Sequence, residues 1–154
     1  MTNHNFNYEN RFQILFNKEE YAILNQNVIG VSTPSIDMGN TIQPTAIRNI
    51  YIPGNSLEFS DLTITFLLDE NYSNYIKILK WIQLCRNFDE LDSERIESDI
   101  TLVLLNNKYK SEHSIVFQNC YPFSLSELPL NTQISETEPI NFVGIFKING
   151  MKVE

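Results

Sequence analysis

With 154 residues, 42% hydrophobic, and only 5 glycines and 6 prolines, the chain can bury a real core and fits the size of one domain, which excludes a disordered or fibrous protein. Its 19 acidic against 11 basic residues give a net charge of -8, which excludes a surface that condenses on nucleic-acid phosphates. The apolar runs are far too short to span a bilayer. The Asn-rich residues 1–10 lack the apolar segment of a secretory signal, so an unexported protein, without membrane insertion, in a reducing cytoplasm is expected.

In chain order, residues 1–10 read as an N-terminal arm and residues 11–154 as a single domain. Residues 12–16 and 21–31 read as strands joined by the polar turn Asn17, Lys18, Glu19 and Glu20, giving a first hairpin. Residues 41–55 read as a turn-rich connector in which Ile52-Pro53-Gly54-Asn55 is the turn signal. Its Ile42, Pro44, Ile47, Ile50, Tyr51 and Ile52 are more apolar than a free loop warrants and imply burial against a neighbour. Residues 49–52 also fit a further core-facing strand. Residues 57–68 read as one long strand, because Leu62, Ile64, Phe66 and Leu68 recur at period two with Thr63 and Thr65 between them.

After Asp69 the period changes. Tyr72, Tyr75, Ile76, Leu79 and Ile82 fall on one face of a helix of about four turns. Asp69 or Asn71 can cap its start, Lys77, Lys80 and Arg86 suit its C-terminal half, and Trp81 reads as an anchor for core or interface. Residues 89–99 form an acidic loop without the spacing of a calcium site and read as solvated. Ile100, Leu102 and Leu104 pair with Ile115 and Phe117 as a second hairpin across Asn106, Asn107 and Lys108, and residues 140–148 read as a closing strand. The sum is a mainly β chain, a small β-sandwich or barrel with one flanking α-helix.

Nothing in the sequence argues for an enzyme. Cys85 and Cys120 read as small buried hydrophobes rather than a disulfide or metal clip. His113 and Cys120 are an odd number of residues apart, so an extended strand sends them to opposite faces, and no oxyanion loop stands nearby. There is no phosphate-cradling glycine loop, no histidine pair at ligand spacing and no repeated C-x-x-C, so no cofactor and no metal are expected.

The order of motifs carries a resemblance that no single motif does. A connector ending in Ile52-Pro53-Gly54 and Leu57-Glu58-Phe59, a strand ending in a short acidic turn, and a helix running from Asn74-Tyr75 to Trp81 resemble the tail tube proteins of tailed bacteriophages, especially T4-like contractile tails. The opening Asn10-Arg11-Phe12-Gln13-Ile14, the run Ile115 through Pro122, the turn Ser124 to Leu128 and the closing strand are similar to the family in the same order, covering roughly residues 10–150. The resemblance implies a structural virion protein, assembled in the host cytoplasm, whose hexameric rings stack into the inner tail tube through which DNA passes without sequence-specific binding. Implied partners are further copies of itself and the sheath, baseplate and tail terminator proteins. A baseplate tube initiator, a tube cap, or the inner tube of a secretion system or contractile particle are the alternatives.

Under that resemblance, the edges of residues 28–31 or 57–68 are candidates for pairing between subunits. Ring stacking is expected at Ile42, Pro44, Ile47, Arg48, Ile50, Tyr51 and Ile52. A net acidic lumen wall is expected from Glu58, Asp61, Thr63, Thr65, Asn141 and Lys147, which alternation points away from Leu62, Ile64, Phe142 and Phe146. Lys147 on that wall needs an acidic neighbour.

Overall fold

The computed structural model describes residues 6–87, 96–133 and 137–154. Strand β1 (Phe12–Phe16) leads through a 3-10 turn (Glu19–Asn25) to β2 (Val28–Ser32), and β3 (Ile36–Pro44) and β4 (Asn49–Phe59) follow. Then come β5 (Leu62–Leu67), helix α1 (Ser73–Arg86), β6 (Ser98–Leu105), β7 (Ser111–Leu125), β8 (Asn141–Lys147) and β9 (Gly150–Val153). All pairings are antiparallel.

Seven strands form one sheet in the order β1-β6-β7-β8-β5-β2, with β9 also on β7. It folds over at β7: residues up to Gln118 pair with β9 and up to Cys120 with β6, and Tyr121 to Leu125 pair with β8. The turning point is Asn119, left-handed at φ 53°. Asn tolerates that conformation better than most residues with a Cβ. The corner is held from both sides, since Asn119 N donates to Asp99 Oδ1 at 2.9 Å and Asn149 Nδ2 donates to Asn119 O at 2.8 Å.

The core lies between the two halves. Alternation buries Leu62, Ile64 and Phe66 on β5 against Phe142, Gly144 and Phe146 on β8. Gly144 leaves room for rings: a Cβ there would stand 3.1 Å from Phe146 and 3.4 Å from Phe66. From the other half, Ile14, Phe16, Ile100, Leu102 and Phe117 close the core.

Helix α1 has the expected length, and Tyr75 and Ile82 of the expected stripe pack against the core, but its buried face is shifted. Its buried residues are Asn74, Ile78 and Trp81, while Tyr72 and Ile76, expected on the buried stripe, are 45% and 40% exposed. Asn74 takes the inward position because its amide bridges the backbone, donating to Leu67 O at 2.8 Å and accepting from Asp69 N at 3.2 Å. Asp69 does not cap the helix. Its carboxylate accepts from the Ser73 hydroxyl and from Asn71 N, and these bonds hold it below its ordinary pKa. Trp81 donates to Ile96 O at 2.5 Å and stacks on Tyr21, ring centroids 4.0 Å apart.

Three sequence expectations are corrected. The first hairpin does not form: Tyr21 and Leu24 are buried three residues apart on a 3-10 turn, and β1 and β2 pair with β6 and β5 instead of each other. The long strand 57–68 is two strands, broken at Ser60 and Asp61, where Ser60 N donates to Ser35 O and Ser35 N to Ser60 Oγ. The connector is itself a β-hairpin: Ile52 and Pro53 lie within β4, opposite Thr41 and Asn40. A proline fits there because, among the described residues, β4 has β3 as its sole strand neighbour, so a missing N–H need break no ladder bond. The fold also adds β9, which the sequence reading left out. In the acidic loop, residues 89–95 lie outside the described residues, while Ser98 and Asp99 begin β6.

Phe66→Ala should cost about 3–5 kcal/mol in denaturant unfolding, the range for emptying an aromatic site. Gly144→Ala should cost about 1–3 kcal/mol by overpacking against two rings. A change below the noise at either position would show that this half of the core is looser than described.

Candidate assembly surfaces

Two surfaces stand out: the β3–β4 hairpin and the face of β5 and β8 turned from the core. The hairpin forms its own two-stranded sheet, separate from the body. Cross-strand register puts Ile36 opposite Phe59, Met38 opposite Leu57 and Ile42 opposite Tyr51, so apolar pairs line one face of this arm at its root and toward its tip. Ile36, Met38, Ile42, Tyr51 and Leu57 are 50–65% exposed, and Ile47 in the tip loop is 96% exposed. Ile50 and Ile52 lie on the other face, opposite Gln43 and Thr41, and Pro44 faces Asn49 beside the tip. The tip is a tight loop in which Thr45 N donates to Arg48 O at 3.1 Å and Arg48 N to Thr45 Oγ1 at 3.0 Å.

The structure therefore brings Ile42, Pro44, Ile47, Arg48, Ile50, Tyr51 and Ile52 together on one exposed arm. It does not place residues 49–52 in the core. Ile36, Met38, Leu57 and Phe59 belong to the same surface; their alternation was present in the sequence but hidden by reading the segment between them as a turn.

Thr63 and Thr65 of β5 face away from the buried Leu62, Ile64 and Phe66, in register with Ile145 and Val143 of β8. Asn141 lies opposite Leu67 at one end. At the other, Lys147 Nζ is 2.8 Å from Asp61 Oδ1 and 4.5 Å from the Phe123 ring centroid. Lys147 thus meets the acidic neighbour it needs, and on this patch the two charges cancel. Glu58 is not part of it; it stands on the arm opposite Asp37.

Of the strand edges proposed for pairing, β5 is closed by β2 and β8 on its two sides, whereas β2 ends the sheet. At the other end of the sheet is β1. Residues 6–10 of the N-terminal arm begin on the β6–β7 turn, where Asn7 Nδ2 donates to Leu105 O and Asn107 Nδ2 to Phe6 O. Arg11 lies over Tyr109, 4.2 Å from its ring centroid.

Cys120 and His113 do not assemble as a catalytic pair. Cys120 is fully buried opposite Ser98, while His113 is exposed opposite Leu104, at the far end of the β6–β7 ladder. Burial, aided by the Asp99 carboxylate, pushes the Cys120 thiol up to about 12, which keeps it neutral and non-nucleophilic.

No protein-family model matches the sequence, and no curated protein sequence is a significant match. Structural similarity is extensive. The chain resembles one in the extracellular contractile injection system PVC sheath/tube terminator in its extended state, with TM-score 0.67 at 12% identity over 100% of this chain and 99% of that one. It resembles a chain of the anti-feeding prophage tube-terminating cap, with TM-score 0.66 at 15% identity over 100% and 94% of the two chains. It also resembles a chain of the PVC sheath-tube complex in its extended state, with TM-score 0.63 at 15% identity over 98% and 93%. At these identities what is shared is the fold, which is that of the tube proteins of contractile systems. The resemblance seen in the sequence holds at that level.

The Cys120 thiol and the Tyr21 hydroxyl are both raised to about 12, chiefly by burial. Groups raised on folding stabilise fully below their unfolded pKa and lose that contribution as pH climbs toward the folded value. The denaturant midpoint should be level through neutral pH and fall from about pH 9 upward. A midpoint still level at the alkaline end would contradict the burial assigned to these groups.

Proposed function

We propose that this protein is a structural subunit of the inner tube of a contractile tail, whose copies close into hexameric rings that stack into a tube. The observation that carries the proposal is the β3–β4 arm, an exposed two-stranded ribbon with an uncovered apolar face, projecting from a body that has the fold of tube proteins. A two-stranded ribbon is marginal alone in water. Docked on a neighbouring subunit, its apolar face is covered.

In this role the sheet edge at β2 serves subunit pairing around the ring, and the arm serves contact between rings, a heterologous contact that does not close and so propagates. The β5–β8 face with Thr63, Thr65, Asn141 and the Asp61–Lys147 pair lines the channel. Its paired charges leave no row of free cations on which phosphates would stall, which suits passage of DNA into a host cell. The partners are further copies of the chain, the sheath, the baseplate and the terminator, and the place of action is the virion tail. A tube-terminating role, or a place in a contractile injection particle, is favoured by the terminator and cap among the similar structures. These roles share the ring and differ in whether the arm meets another ring of the same chain.

Purified protein at high concentration, or seeded with baseplate, should form rings or stacked tubes visible by negative-stain microscopy. Ile47→Asp should leave the monomer's stability within about 0.5 kcal/mol, since the site is exposed. It should abolish stacking, because an unpaired charge in a buried contact costs several kcal/mol. A wild-type protein that stays monomeric even when seeded would end the tube proposal. Rings that form but never stack would indicate the terminating role.

A further inference from the structure

Residues 36–59, the arm, contain three charged side chains: Asp37, Arg48 and Glu58. Their placement is uneven. Asp37 and Glu58 are direct cross-strand partners at the root, both exposed, so two carboxylates face each other across a ribbon. Like charges in direct register are destabilising, and a sequence free to choose would separate them. Arg48 sits at the opposite end, in the tip loop, where its backbone is fixed by Thr45. Among the described residues, none of the three side chains has an ion-pair or hydrogen-bond partner. Arg48 is also the single basic residue between Lys18 and Lys77. The one cation of this stretch stands at the far end of the arm from the carboxylate pair, beyond the seven residue steps of β3 from Asp37 to Pro44, or about 25 Å away.

Within one copy these charges cannot meet. Between copies they can. We infer that the arm is an electrostatic coupler: Arg48 at the tip of one copy's arm docks between Asp37 and Glu58 at the root of the next copy's arm. The occupant of the acidic root is thus a second copy of this chain, presented head to tail. The contact relieves the carboxylate repulsion, and it is self-propagating, because each copy gives one tip and offers one root. It also fixes polarity and register, which an apolar face leaves loose, because a slipped or inverted arm would bring root to root and like charge to like charge. The inference rests on the tube reading, whose stacking contact it specifies.

The test is a charge-swap series assayed by sedimentation and negative-stain microscopy at low ionic strength, with circular dichroism as the check on folding. Arg48→Glu and the double variant Asp37→Lys/Glu58→Lys should each need about tenfold more protein to stack than wild type, and Arg48→Gln should fall between. The triple variant, which reverses root and tip together, should recover assembly to near the wild-type concentration. Wild type that stacks while Arg48→Glu stacks equally well overturns the coupler and leaves the tube reading standing, as does a natively folded triple variant that is no better than Arg48→Glu. Wild type that never assembles, even seeded, takes both down.

Discussion

Phe16, Phe66, Trp81 and Phe146 meet in one cluster, and each comes from a different element: β1, β5, α1 and β8. Ring centroids lie 5.7–6.4 Å apart in the contacts that Phe16 and Trp81 make here. These separations fit the tilted and edge-on pairs that aromatic quadrupoles favour. Because β1 belongs to one half of the folded sheet and β5 and β8 to the other, this contact is what closes the halves on each other and seats the helix against both. It depends on a detail of β8. Gly144 opens the space between Phe142 and Phe146 through which the rings reach one another.

A body satisfied in this way has no use for residues 36–59. None of them belongs to the buried core, and Ser35 and Ser60 tie the base of the ribbon to itself through reciprocal hydrogen bonds. The arm is therefore a part whose apolar face and whose three charges are left over by the fold of one chain. In the proposed tube, the leftover apolar surface on the ribbon, the sheet end at β2, and the outer β5–β8 face of Thr63, Thr65, Val143 and Ile145 with one ion pair would each meet a different neighbour: another ring, the next subunit, and a solvent-filled channel. One fold supplies all three surfaces, and the Cys120 thiol is buried and held neutral.

Strand β5 was legible because threonines alternate with large apolar residues, and β8 because Phe142 and Phe146 fall on the same phase; one-sided burial is a period-two signal in both. Helix α1 was legible from the change of period after Asp69, but only part of its face: Tyr75 and Ile82 pack on the core, while apolar Tyr72 and Ile76 outweighed Asn74, whose polar side chain goes inward to satisfy backbone groups. The 3-10 turn was missed since Tyr21 and Ile23 also fit a strand phase, and only the burial of Leu24 with Tyr21 decides for the turn. The arm was misread as a connector because Pro53-Gly54 is a turn signal in any ordinary strand; in β4 it marks an irregularity, where three residues face the lone Gly39. Its apolar excess was nonetheless visible, and the residues proposed for ring contact do fall together on one exposed arm, though in a hairpin and not in the connector expected. The opposition of Asp37 and Glu58 is a matter of register, and no spacing along the chain announces it.

The central claim is that the arm lacks a partner in one chain and gains one in the assembly, and amide hydrogen exchange measures this residue by residue. In the dispersed protein, amides of β3 and β4 should exchange orders of magnitude faster than those of β5, β7 and β8, because a ribbon without a packed face opens at little cost. In the assembled form they should become protected to a degree approaching the body. Arm amides already as protected as β5 in the dispersed protein, or equally fast in both states, would contradict the claim that the arm exists to meet a neighbour.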